Sequence, residues 1–304
     1  MTKSRWVACG KCGFVHQNPR PSLQALNEFY AQSRYHSALN YNRRRLDAQF
    51  KTAYAADLDF VSRHVPSHVK SVFDVGCGLG YALAKLRDRG WAAAGIEPDE
   101  GRHKYATEQL GLTAVQRGIM SRQIVPTMQV DMVYSHHAFE HVADLDDVMD
   151  GIKKVLNPGG YFFCAVPTYY RNRSNMSKLY LNSGHYSSFT HKSLMQLLSR
   201  HGFEYVVHEY FNDYGNDVTD DLLLLAKFTG KNSDPASYYE DPRAVQRYVN
   251  VVNPLRSIVF SPVYAVAYQR LSRRLMVPHL QLIFRDPGEF LPLVVDRLRG
   301  RRST

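Results

Sequence analysis

The segment that most constrains this chain is 71–80, Ser-Val-Phe-Asp-Val-Gly-Cys-Gly-Leu-Gly, followed by leucines at helical spacing, Leu79, Leu83 and Leu86. It predicts a short apolar strand, a turn built from Gly76, Gly78 and Gly80, and a helix that Gly90 stops. Glycine allows the sharp turn and leaves no Cβ in the way of a ligand. A strand, glycine turn and helix in that order place the ligand at the carboxyl edge of a sheet.

The alternation continues. Residues 92–96 predict a second strand, 101–110 a helix, 112–116 a third strand and 132–135 a fourth. Leu145, Val148, Met149, Ile152 and Val155 mark an amphipathic helix, with Asp144 as its cap and Pro158-Gly159-Gly160 as its stop. Residues 161–166 are continuously apolar, as expected of a strand covered on both faces. Thr190 predicts the cap of a helix carrying Leu194, Leu197 and Leu198, and 203–208 and 221–228 predict two closing strands. The fold class is therefore α/β, a Rossmann-like, mostly parallel sheet with helices on both faces. Three parts are expected: 1–69, with helices towards its end (Leu46, Phe50, Leu58 and Val61 on one face); 70–230, the ligand-binding domain; and 231–304, a basic, mostly helical extension.

A net charge of +10 makes an anionic partner one option and a solvated basic surface the other. The charge is uneven. Between 251 and 285 stand Arg256, Arg270, Arg273, Arg274 and Arg285 with no acid. Within it, 255–285 reads either as an amphipathic element on an anionic membrane surface or as a domain cap or homodimer face, the plainer alternative. The four cysteines, Cys9, Cys12, Cys77 and Cys164, do not suggest a disulfide framework, and the opening residues lack a secretory apolar core. A cytoplasmic location is expected.

Glu97 ends the second strand, roughly 20 residues beyond the glycines, where a carboxylate can accept from both hydroxyls of a ribose. The run 72–80 resembles the first motif of class I S-adenosylmethionine-dependent methyltransferases. The resemblance continues through Ala138-Phe139-Glu140-His141-Val142 and Leu156-Asn157-Pro158-Gly159-Gly160, and closes with His185, Phe189-Thr190 and Gly202-Phe203. It covers about 70–210. A nicotinamide dehydrogenase fits poorly, because Tyr81 stands where the third glycine of its turn belongs.

The resemblance implies seven strands with an antiparallel hairpin at one edge, and S-adenosyl-L-methionine as cofactor. It implies Asp74, Gly76, Gly78 and Gly80 at the methionine end, Glu97 on the ribose, and Pro98, Gly118 and Ile119 around the adenine. Ser135 and His136 would line the inner side, with Cys77 as a small filler of the turn. Ile119 stands where an acid often meets the adenine amine, so only its backbone could serve.

Methyl transfer needs alignment above all, and a base where the acceptor must lose a proton. His137, His141 and His185 are the candidate catalytic residues, as base or acceptor-orienting groups. His137 and His141 would share a face if their turn is helical. Glu140-His141 bracing its loop is the alternative. His137, Glu140 and His141 also resemble part of the Glu-x-x-Glu-His metal site of small-RNA 2′-O-methyltransferases, with a fourth ligand required from His185 or His191. The sequence reading assigns no metal. The loop 168–188, rich in Tyr and Arg, reads as an acceptor lid. Cys9-Gly10-Lys11-Cys12 lacks the second cysteine pair of a complete zinc site; it reads as a remnant knuckle or a site shared between chains. The expected acceptor is a small molecule or glycan, methylated on oxygen. The alternatives are an RNA methyltransferase, prompted by the basic tail, and a non-catalytic cofactor-binding partner subunit.

Overall fold

A computed structural model of the chain describes residues 5–20, 22, 54–126, 128–168, 185–211 and 220–247. Leu46, Phe50, the lid segment 169–184 and the basic stretch 251–285 lie outside them.

In chain order the elements are β1 (Arg5–Ala8), β2 (Val15–Asn18), α1 (Ala55–His64), β3 (Ser71–Val75), α2 (Tyr81–Asp88), β4 (Ala92–Glu97) and α3 (Glu100–Lys104), which runs on as a π-helical turn, Tyr105–Gln109. Then come β5 (Val115–Arg117), β6 (Val130–His136), a 3₁₀ turn (Phe139–His141), α4 (Leu145–Val155) and β7 (Leu156–Thr168). β8 (Ser187–Ser188), α5 (His191–Arg200), β9 (Phe203–Phe211), β10 (Asp220–Phe228) and a second 3₁₀ turn (Pro235–Tyr238) follow.

Seven strands form one sheet in the order β5-β4-β3-β6-β7-β10-β9. The first five are parallel, and β10 runs antiparallel to both β7 and β9. Successive residues of the central strands feed opposite faces. Phe73, Val133, Phe162 and Leu224 pack with Val148 and Ile152 of α4 and Leu194 of α5. Val72, Met132, Phe163 and Leu223 pack with Leu58 and Val61 of α1 and Leu83 of α2. Both faces are covered, which is why these strands read as apolar runs without alternation.

The predicted caps are present. Asp144 accepts from Asp147 N at 3.0 Å, and Thr190 and Ser193 form a reciprocal capping box. Three expectations are corrected. Pro158-Gly159-Gly160 does not end α4, which stops at Val155; these residues form an irregularity within β7, between the Val130–Leu156 and Met132–Tyr161 pairs. Leu156 and Tyr161 pair with β6 on either side, and the three residues are carried between them with Gly159 at φ 77°. The third strand begins at Val115, because Leu112 is drawn beneath Gly80. The N-terminal part is not only helical: β1 and β2 form a hairpin whose second strand pairs with β8.

Candidate functional site

The glycine turn is shaped by contact as well as by conformation. Gly76 has φ 79°, and a Cβ there would stand 2.8 Å from Ala138 Cβ. Gly80 has φ 81°, and a Cβ there would stand 2.5 Å from Leu112 and 3.0 Å from Ala106. Both positions therefore exclude any larger residue.

Glu97 is 3% exposed and joins two loops. Its Oε2 accepts from Gly78 N at 2.7 Å and its Oε1 from Asp99 N at 2.8 Å. Each oxygen keeps a further lone pair. Burial raises its pKa, and the two backbone donors and Arg102 act against that. Asp74 is 2% exposed, and its Oδ1 has no hydrogen-bond partner. Burial, then Glu97 and Asp57, push its carboxyl well above the usual range. Burial, Asp74 and Glu97 likewise push the Cys77 thiol up, away from the reactive thiolate.

A cavity of about 630 Å³ opens at this edge of the sheet. Gly76, Glu97, Pro98, Gly118 and Ile119 line it, together with His137, Ala138 and His141. Asp74, Cys77, Gly78, Gly80, Ser135, His136 and His185 are not among its lining residues. Ser135 is buried, its hydroxyl 3.3 Å from Val75 O.

The histidines do not share one helical face. His137 precedes the 3₁₀ turn with φ 49°, and its Nε2 lies 3.0 Å from Asp221 Oδ2, at an angle outside hydrogen-bond geometry. Burial lowers its pKa, but Asp221, Glu140 and Asp57 outweigh burial and bring it up to about 9. Held as a cation at neutral pH, His137 is suited to donate a hydrogen bond rather than to take a proton. His136 stacks on His137 with ring centres 4.2 Å apart. His136 Nδ1 meets Asp57 Oδ2 at 2.7 Å, and the same oxygen accepts from Tyr134 Oη at 2.5 Å. His141 and His185 meet edge to face at 4.7 Å. Asp57 and Asp221 escaped the sequence reading. Asp57 shows only as an acid beside the apolar Leu58 and Val61 of α1; Asp221, at the start of an apolar strand, carries no local signal.

A parallel sheet with a glycine turn, a carboxylate at the end of the next strand and a cavity between them defines a Rossmann-like domain built for a nucleoside-bearing ligand. The family model for a methyltransferase domain matches residues 41–209, more than half of the chain. The chain belongs to the S-adenosylmethionine-dependent methyltransferases, whose cofactor is S-adenosylmethionine.

Among relatives, a probable S-adenosylmethionine-dependent methyltransferase of Mycolicibacterium smegmatis is 27% identical over 138 residues, 44% of this chain and 52% of that one. C-methyltransferase NovU of Streptomyces niveus is 26% identical over 139 residues, 44% of this chain and 33% of that one. A ubiquinone biosynthesis O-methyltransferase of Chromobacterium violaceum is 29% identical over 125 residues, 38% and 54% of the two chains. The chain thus spans about half the length, or less, of these curated relatives. Among the described residues, no helix is long and apolar enough to cross a membrane.

Proposed function

We propose that this protein methylates an oxygen of a small-molecule or glycan acceptor, using S-adenosylmethionine. The observation that carries the reading is one cavity lined both by Gly76, Glu97 and Gly118 and by His137 and His141. The named small-molecule pathway of one relative, ubiquinone biosynthesis, supports the acceptor class.

The residues fit the cofactor. Glu97, fixed by two backbone donors, has lone pairs left for two ribose hydroxyls. Gly76 leaves a cradle that a side chain would fill, and the unpartnered Asp74 Oδ1 suits a donor at the methionine end. Pro98, Gly118 and Ile119 would border the adenine, while Gly78, Gly80 and Cys77 shape the turn, and Ser135 and His136 would back the inner side. When bound, S-adenosylmethionine supplies a methyl carbon on a sulfonium sulfur, which an acceptor oxygen displaces as the electron pair of the broken bond passes to sulfur. The chain's work is then positioning and proton handling. His141, which lines the cavity, and His185, edge to face with it, would orient an acceptor hydroxyl and take its proton. His137, held as a cation by Asp221, donates to the acceptor instead.

Calorimetric titration with S-adenosylhomocysteine, with NADH in parallel, tests the cofactor assignment. Binding near micromolar, roughly −8 kcal/mol, at least tenfold weaker in Glu97→Ala, is expected, with no response to NADH. Binding of NADH, or a folded protein indifferent to S-adenosylhomocysteine, would sink it. Mass spectrometry of the product then assigns the methylated atom.

A further inference from the structure

Glu140 is the least explained polar group beside the cavity. It is 2% exposed, and neither of its carboxylate oxygens has a hydrogen-bond partner. Burying a carboxylate unpaired is strongly unfavourable. The nearby His141 Nε2 stands 3.9 Å from Oε1, too far for a hydrogen bond. Together with His185 these residues make a compact donor group: one carboxylate oxygen and one nitrogen of each imidazole all lie within 4.8 Å of one another. Ligand bonds of about 2.0–2.2 Å put neighbouring donors roughly 3–3.5 Å apart, a gap that small side-chain rotations close.

The backbone holds the group together. Tyr186 N donates to Glu140 O at 2.6 Å, and Gln17 N donates to Tyr186 O at 2.9 Å. His185 is thereby clamped beside the turn that carries Glu140 and His141, and that turn is closed by Val142 N donating to Phe139 O at 3.2 Å. His137 takes no part, being turned towards Asp221. Two imidazoles and one carboxylate suit a first-row transition ion such as zinc, manganese or cobalt, and suit calcium or magnesium poorly.

We infer that Glu140, His141 and His185 bind a divalent transition-metal ion at the acceptor end of the cavity. This revises the expectation of no metal. Since His141 lines the cavity, the ion's remaining positions are open to an oxygen-bearing acceptor. With their nitrogens on the ion, His141 and His185 orient the acceptor through it and no longer serve as the base; a hydroxyl bound there loses its proton to water more readily. The acceptor's part of this inference rests on the proposed methyl transfer; the ion's binding does not.

The test is titration of the chelator-treated full-length protein with Co²⁺, followed in the visible and near-ultraviolet. One ion per chain is expected, with weak visible bands and no thiolate charge-transfer band. Affinity should fall at least tenfold in both Glu140→Gln and His185→Ala and persist in a Cys9→Ser/Cys12→Ser double variant. S-adenosylhomocysteine binding in the same proteins serves as the fold check. Absence of binding, binding indifferent to Glu140→Gln and His185→Ala, or binding lost with the cysteines overturns the inference. Intact cobalt binding without S-adenosylhomocysteine binding would instead count against the proposed function.

Discussion

His136 and His137 stack with ring centres 4.2 Å apart at 16°, and His191 and His208 stack at 4.3 Å and 4°. The geometry is nearly the same, but the surroundings are opposite. The first pair, beside the cavity, is flanked by carboxylates: Asp57 on His136 and Asp221 on His137. The second, on the far edge, is flanked by phenols: Tyr210 Oη is 3.0 Å from His191 Nδ1, and Tyr205 Oη is 2.9 Å from His208 Nδ1. His137 accordingly titrates near 9, whereas burial, His208 and Lys192 bring His191 down to about 4. Burial disfavours the charged form in both. A buried anion reverses that preference beside the cavity, and a phenol does not reverse it at the edge.

The largest effect should come from Asp57→Ala. It removes the acceptor of the buried Tyr134 hydroxyl and the partner of the half-buried His136. A loss of about 2–4 kcal/mol in urea unfolding is expected, against about 1 kcal/mol for Tyr210→Phe at the edge. Equal losses would remove the distinction between carboxylate and phenol.

Asp221→Asn comes next. His137 has a folded pKa of about 9, above its unfolded value near 6.5. Its contribution is fully present below about pH 6.5 and is lost as pH rises through 9. Wild-type stability should therefore fall between these limits by about 1–2 kcal/mol, less than the full shift because the side chain is partly exposed. Asp221→Asn should flatten that limb and bring His137 down in an NMR titration. An unchanged limb would assign it to another group.

The smallest effect belongs to the far edge, with the opposite sign. His191 has a folded pKa of about 4, below its unfolded value near 6.5. Its contribution is present above about pH 6.5 and lost as pH falls through 4, on the order of 1 kcal/mol. In His208→Phe, with the repelling imidazole gone, His191 should titrate closer to 6.5 and the acid limb should become shallower. Titration still near 4 would leave burial and Lys192 as the causes.

The cofactor side of the site was legible in the sequence because it is local. Gly76, Gly78, Gly80 and Glu97 lie on two consecutive strand ends, and parallel pairing of β3 with β4 brings them together. The acceptor side was legible only as a list. His137 and His141 were expected on one helical face; positive φ at His137 and a three-residue 3₁₀ turn separate them. The residue that sets the charge of His137, Asp221, is 84 positions away in an antiparallel strand, where no spacing rule reaches.

Sequence alone determined the strand and helix order from Ser71 to Val155, the caps at Asp144 and Thr190 and the glycine turn, since each depends on dihedral preference and contacts within a few residues. Tertiary structure decided which histidine carries charge, why Glu140 lies buried beside two imidazoles, and that Pro158-Gly159-Gly160 becomes a strand irregularity. Those outcomes depend on the field and the pairing partners supplied by distant strands, which become neighbours only when the sheet closes.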